Sequence, residues 1–379
     1  MQIGLRHPPL TCPCSTGPTL SLRTILVNSP DLLALHAPHP LVVISSKRGT
    51  DDEEFPLDEA DRSFQWAKRV YSLLEVDDDA ARFHESTSAH GYQEDKREIL
   101  YRAVERWLRP PHPQEGKELP AKVEGVEDLR CALPENNLTI RDVYKHWLGP
   151  LPRMSPGDDP SLLRAFLRER LGLPAALPAI RAEKVGDEKV SDERQGGLTA
   201  QFWVLETEPG IRLPAVILGG KDAGNTMVLV PGRDREAVRR ALGAGFRVLA
   251  FDPRGTGEIK AGGGRLDNFG WFFGRPLSGQ WVLDLLQAAR FAGEKFPGAA
   301  VTLDAENNFG WVGLLAGAAQ PDLIRTGTVS VPVRSLRDLI EREENGAIAD
   351  VPGLLERLDI PQVCQLWPAG IVIFAKESR

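Results

Sequence analysis

Cysteine is scarce in this sequence, with four in 379 residues. Cys12 and Cys14 stand close together, while Cys131 and Cys364 stand alone. A structural zinc site needs four ligands at defined spacing, and the seven histidines are scattered, so no metal site is expected. Long apolar runs are also missing. None reaches the roughly 18 residues of a membrane-spanning helix, so no membrane partner is expected. The first 24 residues hold several prolines and no continuous apolar core, so they read as disordered rather than as a secretory leader, and the chain carries no other address. Positive charge is in deficit, 46 Lys and Arg against 53 Asp and Glu, for a net charge of −7. That leaves no basic stripe for nucleic acid. What is present, 42% hydrophobic and 26% charged residues, is globular material for one large domain or two smaller ones.

Pro30 to Ile44 reads as a short apolar helix, a proline-bracketed turn and an aliphatic strand, followed by the acidic loop SSKRGTDDEEFP. Glu59 to Leu74 and Asp95 to Leu108 have helical spacing, and Arg82 and Phe83 begin a short extended segment between them. Residues 110 to 158 are rich in Pro, Gly and Glu and read as a linker, with one helix capped by Thr139. Asp159-Pro160 starts another helix, and a polar stretch from Glu183 to Gly197 separates that helix from the remainder of the chain. From Gln201 onward strand and helix segments alternate, with strands over 202–208, 213–218, 226–230, 246–251, 300–304 and 328–331. Such alternation predicts an α/β fold, a mostly parallel sheet with helices on both faces.

The stretch Val301 to Ala319 anchors this reading. Ala300, Val301 and Leu303 are a β-prone run, Asn307 and Asn308 a turn, and Gly310, Gly313 and Ala316 to Ala319 a small-residue helix that can press closely on a sheet. The Gly-rich AGGGR at 261–265 lacks a following Lys-Ser or Lys-Thr, so it is a loop and not a phosphate cradle. GAGFRVLAFD at 243–252 runs helix to strand, the reverse of a dinucleotide fingerprint. No cofactor is expected.

Five segments carry a family resemblance: ETEPGIRLPAVIL at 206–218, VLVPGRDRE at 228–236, VLAFDPRGTGE at 248–258, GRPLSGQWVLDLLQAARFA at 274–292, and the strand–turn–helix around Asn308. Through them residues 201–379 resemble the α/β-hydrolases, and most closely the acetyl xylan esterase-like and related carbohydrate esterase-like proteins. Asp252 to Glu258 is the most specific of the five. Residues 29–109 resemble the other end of the same fold. Pro361 to Phe374 also matches Pro30 to Ile44 with one gap, so the chain reads as a window on a tandem repeat, the end of one unit followed by the beginning of the next. The expected organisation is a disordered start (1–24), the end of a first unit with acid and histidine loops (25–110), a linker with helices (111–199) and the early and central part of a second unit (200–379). The sheet is then incomplete or permuted. In the permuted form Leu41 to Ser45 and the segment around Arg82 to Glu85 extend the sheet built by residues 201–331.

The resemblance implies hydrolysis of carbohydrate esters by an acid, a histidine and a nucleophile. Asp52 fits the acid, with Asp51 the alternative, and His90 the base, with His84 its competitor; the plainer reading is a solvated acidic loop and a turn histidine. Gly232 and Arg233 can offer a backbone N–H to an oxyanion, or be a simple turn. If Gly310 is the trailing glycine of the nucleophile elbow, Asn308 occupies the nucleophile position and Glu306 that of the leading glycine. Asparagine cannot attack a carbonyl. Ser278, the only serine near the glycine-rich centre, reads as a helix cap instead. The expectations are an inactive esterase-like module, a non-catalytic module binding a glycan or a partner, or a peptidase of the prolyl-oligopeptidase kind, whose propeller nothing here resembles.

Overall fold

The computed structural model describes residues 29–46, 57–88, 91–113, 115–118, 120–149, 151, 158–190, 197–220, 223–260, 270, 274–342 and 351–374. Their contacts divide the chain into two compact units, which meet in sequence at Pro134 and Glu135.

The first unit is a small βαβ arrangement. Helix α1 (Ser29–Ala34) leads to strand β1 (Leu41–Ser46); α2 (Leu57–Leu73) crosses over to β2 (Ala81–Ser86), and α3 (Glu94–Leu108) follows. β1 and β2 pair in parallel, with Val42 opposite Arg82 and Val43 opposite Phe83. Phe64, Ala67 and Tyr71 recur at helical spacing on the buried face of α2, and Phe64 and Tyr71 pack with Val43 and Phe83 into a core of their own.

The second unit begins with α4 (Ile140–Leu148) and α5 (Pro160–Arg170). Thr139 caps α4 in a capping box with Asp142, and Asp159 caps α5 ahead of Pro160, as the sequence predicts. An eight-stranded sheet follows: β3 (Arg181–Val190), β4 (Leu198–Glu208), β5 (Ile211–Gly219), β6 (Thr226–Pro231), β7 (Arg247–Phe251), β8 (Ala300–Ala305), β9 (Thr326–Val331) and β10 (Gly370–Phe374). Its order is β10-β9-β8-β6-β7-β5-β4-β3. The five strands from β10 to β7 are parallel, and β5, β4 and β3 form an antiparallel meander. The intervening helices are α6 (Arg235–Gly243), α7 (Leu277–Lys295), α8 (Asn307–Ala319), α9 (Leu336–Arg342) and α10 (Ile360–Leu366). The mostly parallel α/β sheet expected from the alternation is thus present.

Two expectations need correction. The polar stretch from Glu183 to Gly197 is not a separator throughout, because Glu183–Val190 belong to β3. An edge strand tolerates charge, which blunts its unpaired side, so its polarity conceals it. The permuted sheet is also not found: among the described residues every strand of the large sheet comes from residues 181–374, β1 pairs with β2, and the place beside β9 is held by β10. A parallel pair needs a crossover of a dozen residues or more, and each unit supplies its own, α2 between β1 and β2, and α10 between β9 and β10.

The small residues of α8 serve close packing. A Cβ on Gly310 would stand 1.7 Å from the carbonyl oxygen of Ser330 in β9, so only glycine lets the helix lie this near the sheet. Trp311, Val312, Leu314 and Leu315 are buried around it, joined to β6, β8, α7 and Trp367 in one core.

Candidate active site

Because β6 lies between β7 and β8, the loops leaving the carboxyl ends of these three strands converge. They carry Gly232-Arg233, Asp252 to Glu258, and Glu306 to Asn308. Brought together here are Gly232 and Phe309, the neighbour of Asn308; a Cβ on Gly232 would stand 2.6 Å from the Phe309 ring. That ring packs on Trp281 with centroids 5.5 Å apart, and Trp281 Nε1 donates to the carbonyl of Arg254 at 2.9 Å.

Asn308 is exposed in the first turn of α8. Its backbone is not among the positive-φ positions, which here include Arg233 but no residue between Glu306 and Gly310. The strand therefore enters its helix by an ordinary turn, with Glu306 in an extended conformation at the cap (φ −127°, ψ 168°), instead of the strained turn that raises a nucleophile. The Gly232 N–H donates to the carbonyl of Phe251 at 2.8 Å. Ser278 is buried in the first turn of α7 and is not its cap, which is Pro276. Asp51, Asp52 and His90 lie outside the described residues. His84 lies in β2, where burial and then the positive charges of Arg82 and Arg102 hold its imidazole below the ordinary value. Among the described residues no group of three or more His, Cys, Asp or Glu is placed to hold a metal.

The residues of the Asp-x-Arg-Gly-x-Gly motif build the edge. Asp252 is buried, accepts the N–H of Glu258 at 3.1 Å, and has Arg233 Nε at 3.4 Å. Gly257, at φ +54°, makes room for that carboxylate, since a Cβ would stand 2.2 Å from it. Arg233 also pairs with Glu258. Arg254 turns inward: its Nη2 donates to Asp284 at 2.6 Å and its Nη1 lies 2.8 Å from Glu208, which Arg275 also holds at 2.7 Å. Thr207 donates to the same Asp284 at 2.8 Å. Burial alone would lower the affinity of the Arg254 guanidinium for its proton, but Asp284 and then Glu208 more than reverse this. Burial likewise pushes the Glu208 carboxyl up, and Arg275 and Arg254 together bring it below the ordinary range. Sequence reasoning does not reach Asp284, Glu208 or Trp281. The available signal is Asp284 and Gln287, two polar residues inside the apolar run WVLDLLQAARFA.

No protein-family model and no curated protein matches the sequence. Among solved structures, the chain is similar to a candidate acetyl xylan esterase from Bacteroides fragilis, at 11% identity over 65% of this chain and 77% of that one, with a TM-score of 0.51. It also aligns with an acetyl xylan esterase from Paenibacillus sp. R4 at 16% identity, over 52% and 67% of the two chains, with a TM-score of 0.38. The first likeness shows a shared fold.

Proposed function

We propose that this chain is an esterase-fold protein that does not hydrolyse esters itself. The observation that carries the reading is Asn308, an amide at the position that the elbow gives to the nucleophile, on helical backbone without positive φ. An amide can donate and accept hydrogen bonds but cannot attack a carbonyl. Supporting it, the Gly232 N–H is already bonded and Ser278 is buried.

In this reading the first unit is the end of one hydrolase-like module and the second is the early and central part of another. Support comes from the paired elements α1–β1 and α10–β10, each a short helix leading to a strand in a parallel pair. The remaining role is binding, with carbohydrate esters the ligand class by resemblance. The test is a fluorophosphonate label with an acetylated-xylan assay on the whole chain. Neither stoichiometric labelling nor acetate release is expected, and either result refutes the reading.

A further inference from the structure

Asn308 stands at one end of α8, and at the other end, about 20 Å away at 1.5 Å per residue, the second unit has an open cavity of about 560 Å³. Three guanidiniums line it, those of Arg164, Arg168 and Arg290, together with Leu177, Gln320 and Asp322. Arg164 and Arg168 are four residues apart on α5, where like charges repel.

Neither of these two meets a carboxylate among the described residues. Arg164 Nε donates to the carbonyl of Ala318 at 3.0 Å and its Nη2 to that of Leu366 at 3.2 Å. Arg164 thus serves the carboxyl end of α8. Arg168 Nη1 donates to Gln320 Oε1 at 3.0 Å, and its Nη2 to the carbonyls of Pro174 at 2.8 Å and Ala175 at 3.4 Å. Arg290 Nη1 donates to the carbonyl of Pro178 at 3.2 Å and reaches that of Leu177 at 3.5 Å, while its Nε donates to Glu294 at 2.8 Å.

Neutral carbonyls fix where the Arg164 and Arg168 guanidiniums point but do not cancel their charge, while Arg290 has Glu294 as a carboxylate partner. Burial holds the Arg168 guanidinium below its ordinary value, with no carboxylate to restore it. The carboxylate on the cavity wall is Asp322, which is exposed, and a second carboxylate, Glu294, pairs with Arg290. A guanidinium carries five N–H donors, and the Arg168 Nε–H has no acceptor among the described residues.

We propose that this cavity is an anion-binding site, in which Arg168 and Arg290 hold the oxyanion group of a small molecule and the remaining volume takes its organic part. Guanidiniums bind phosphate and carboxylate oxygens through charge-assisted hydrogen bonds, and here their orientation is set before the ligand arrives. The site is independent of the edge at Asn308.

The test is calorimetric titration and thermal melting of the whole chain with inorganic phosphate and, separately, with acetate, each at constant ionic strength set with chloride. A saturable heat and a saturable rise in melting temperature are expected with at least one anion, and the stronger of the two identifies the group. Arg168→Gln and Arg290→Gln should each weaken binding about tenfold, the loss of one charge-assisted contact, and Arg168→Lys should weaken it less than Arg168→Gln. If Arg168→Gln does not fold, Arg290→Gln decides. No saturable effect of either anion, or unchanged binding in Arg290→Gln, overturns the proposal.

Discussion

Arg254 and Asp284, 30 residues apart in sequence, are joined by three hydrogen bonds: the backbone N–H and Nε of Arg254 donate to Oδ2 at 3.0 and 2.9 Å, and Nη2 to Oδ1 at 2.6 Å. This pair ties the loop after β7 to the middle of α7. The Asp284 side chain is fully buried, so its removal strips three hydrogen bonds from Arg254 and leaves the largely buried guanidinium with Glu208 as its remaining carboxylate. Asp284→Ala is expected to cost about 3–5 kcal/mol, read as a lower urea midpoint. A cost below about 1 kcal/mol, the range of exposed pairs, would refute the structural role.

Asn308→Ser should not create an esterase. Triad members act as a unit, and a hydroxyl on ordinary helical backbone, beside Glu306, lacks the strained turn that presents a nucleophile. The measurement is release of p-nitrophenol from its acetate, expected to match the parent chain. A clear, saturable gain would show that a base and an oxyanion site are already assembled.

Two glycines should respond with opposite sign to alanine. Gly293, in α7, has nothing within 4 Å of the position a methyl group would take, so Gly293→Ala should stabilise by up to about 1 kcal/mol through helix propensity. Gly310 meets the backbone of Ser330 at 1.7 Å, so Gly310→Ala must push α8 off β9, at a cost of about 1–3 kcal/mol or more. Thermal melts of the two variants are expected to shift in opposite directions.

Glu208 makes stability depend on acid. Its carboxyl titrates below the ordinary range in the folded chain, because Arg275 and Arg254 outweigh the effect of burial. A depressed folded-state value means that the stabilisation is complete above the unfolded value of about 4.3 and is lost as pH falls through the folded one. Glu208→Gln should therefore be less stable at neutral pH and lose less on acidification. Urea midpoints from pH 7 to pH 3 test this, and parallel curves for the two proteins would remove Glu208 from the account.

Much of the secondary structure is legible in the chain. Thr139 and Asp159 announce their helices because a cap is a local interaction, made within three residues. The apolar runs of β6 and β7 announce buried parallel strands, and Pro209-Gly210 announces the hairpin between β4 and β5. β3 is not legible, because a charged edge strand has the composition of a linker. The site can be read only in part. The glycines of α8 point to close packing on the sheet, and the Asp252 motif to the loop after β7.

What the sequence determined by itself is therefore what rests on neighbours along the chain: caps, turns, apolar periodicity, and the identity of Asn308 as an amide. The tertiary structure decided which strand lies beside β9, where the Gly232 N–H is directed, and which acid receives Arg254. Those outcomes depend on partners tens of residues away, selected by crossover connections and by the need to pair every buried charge, and a local reading of sequence does not contain them.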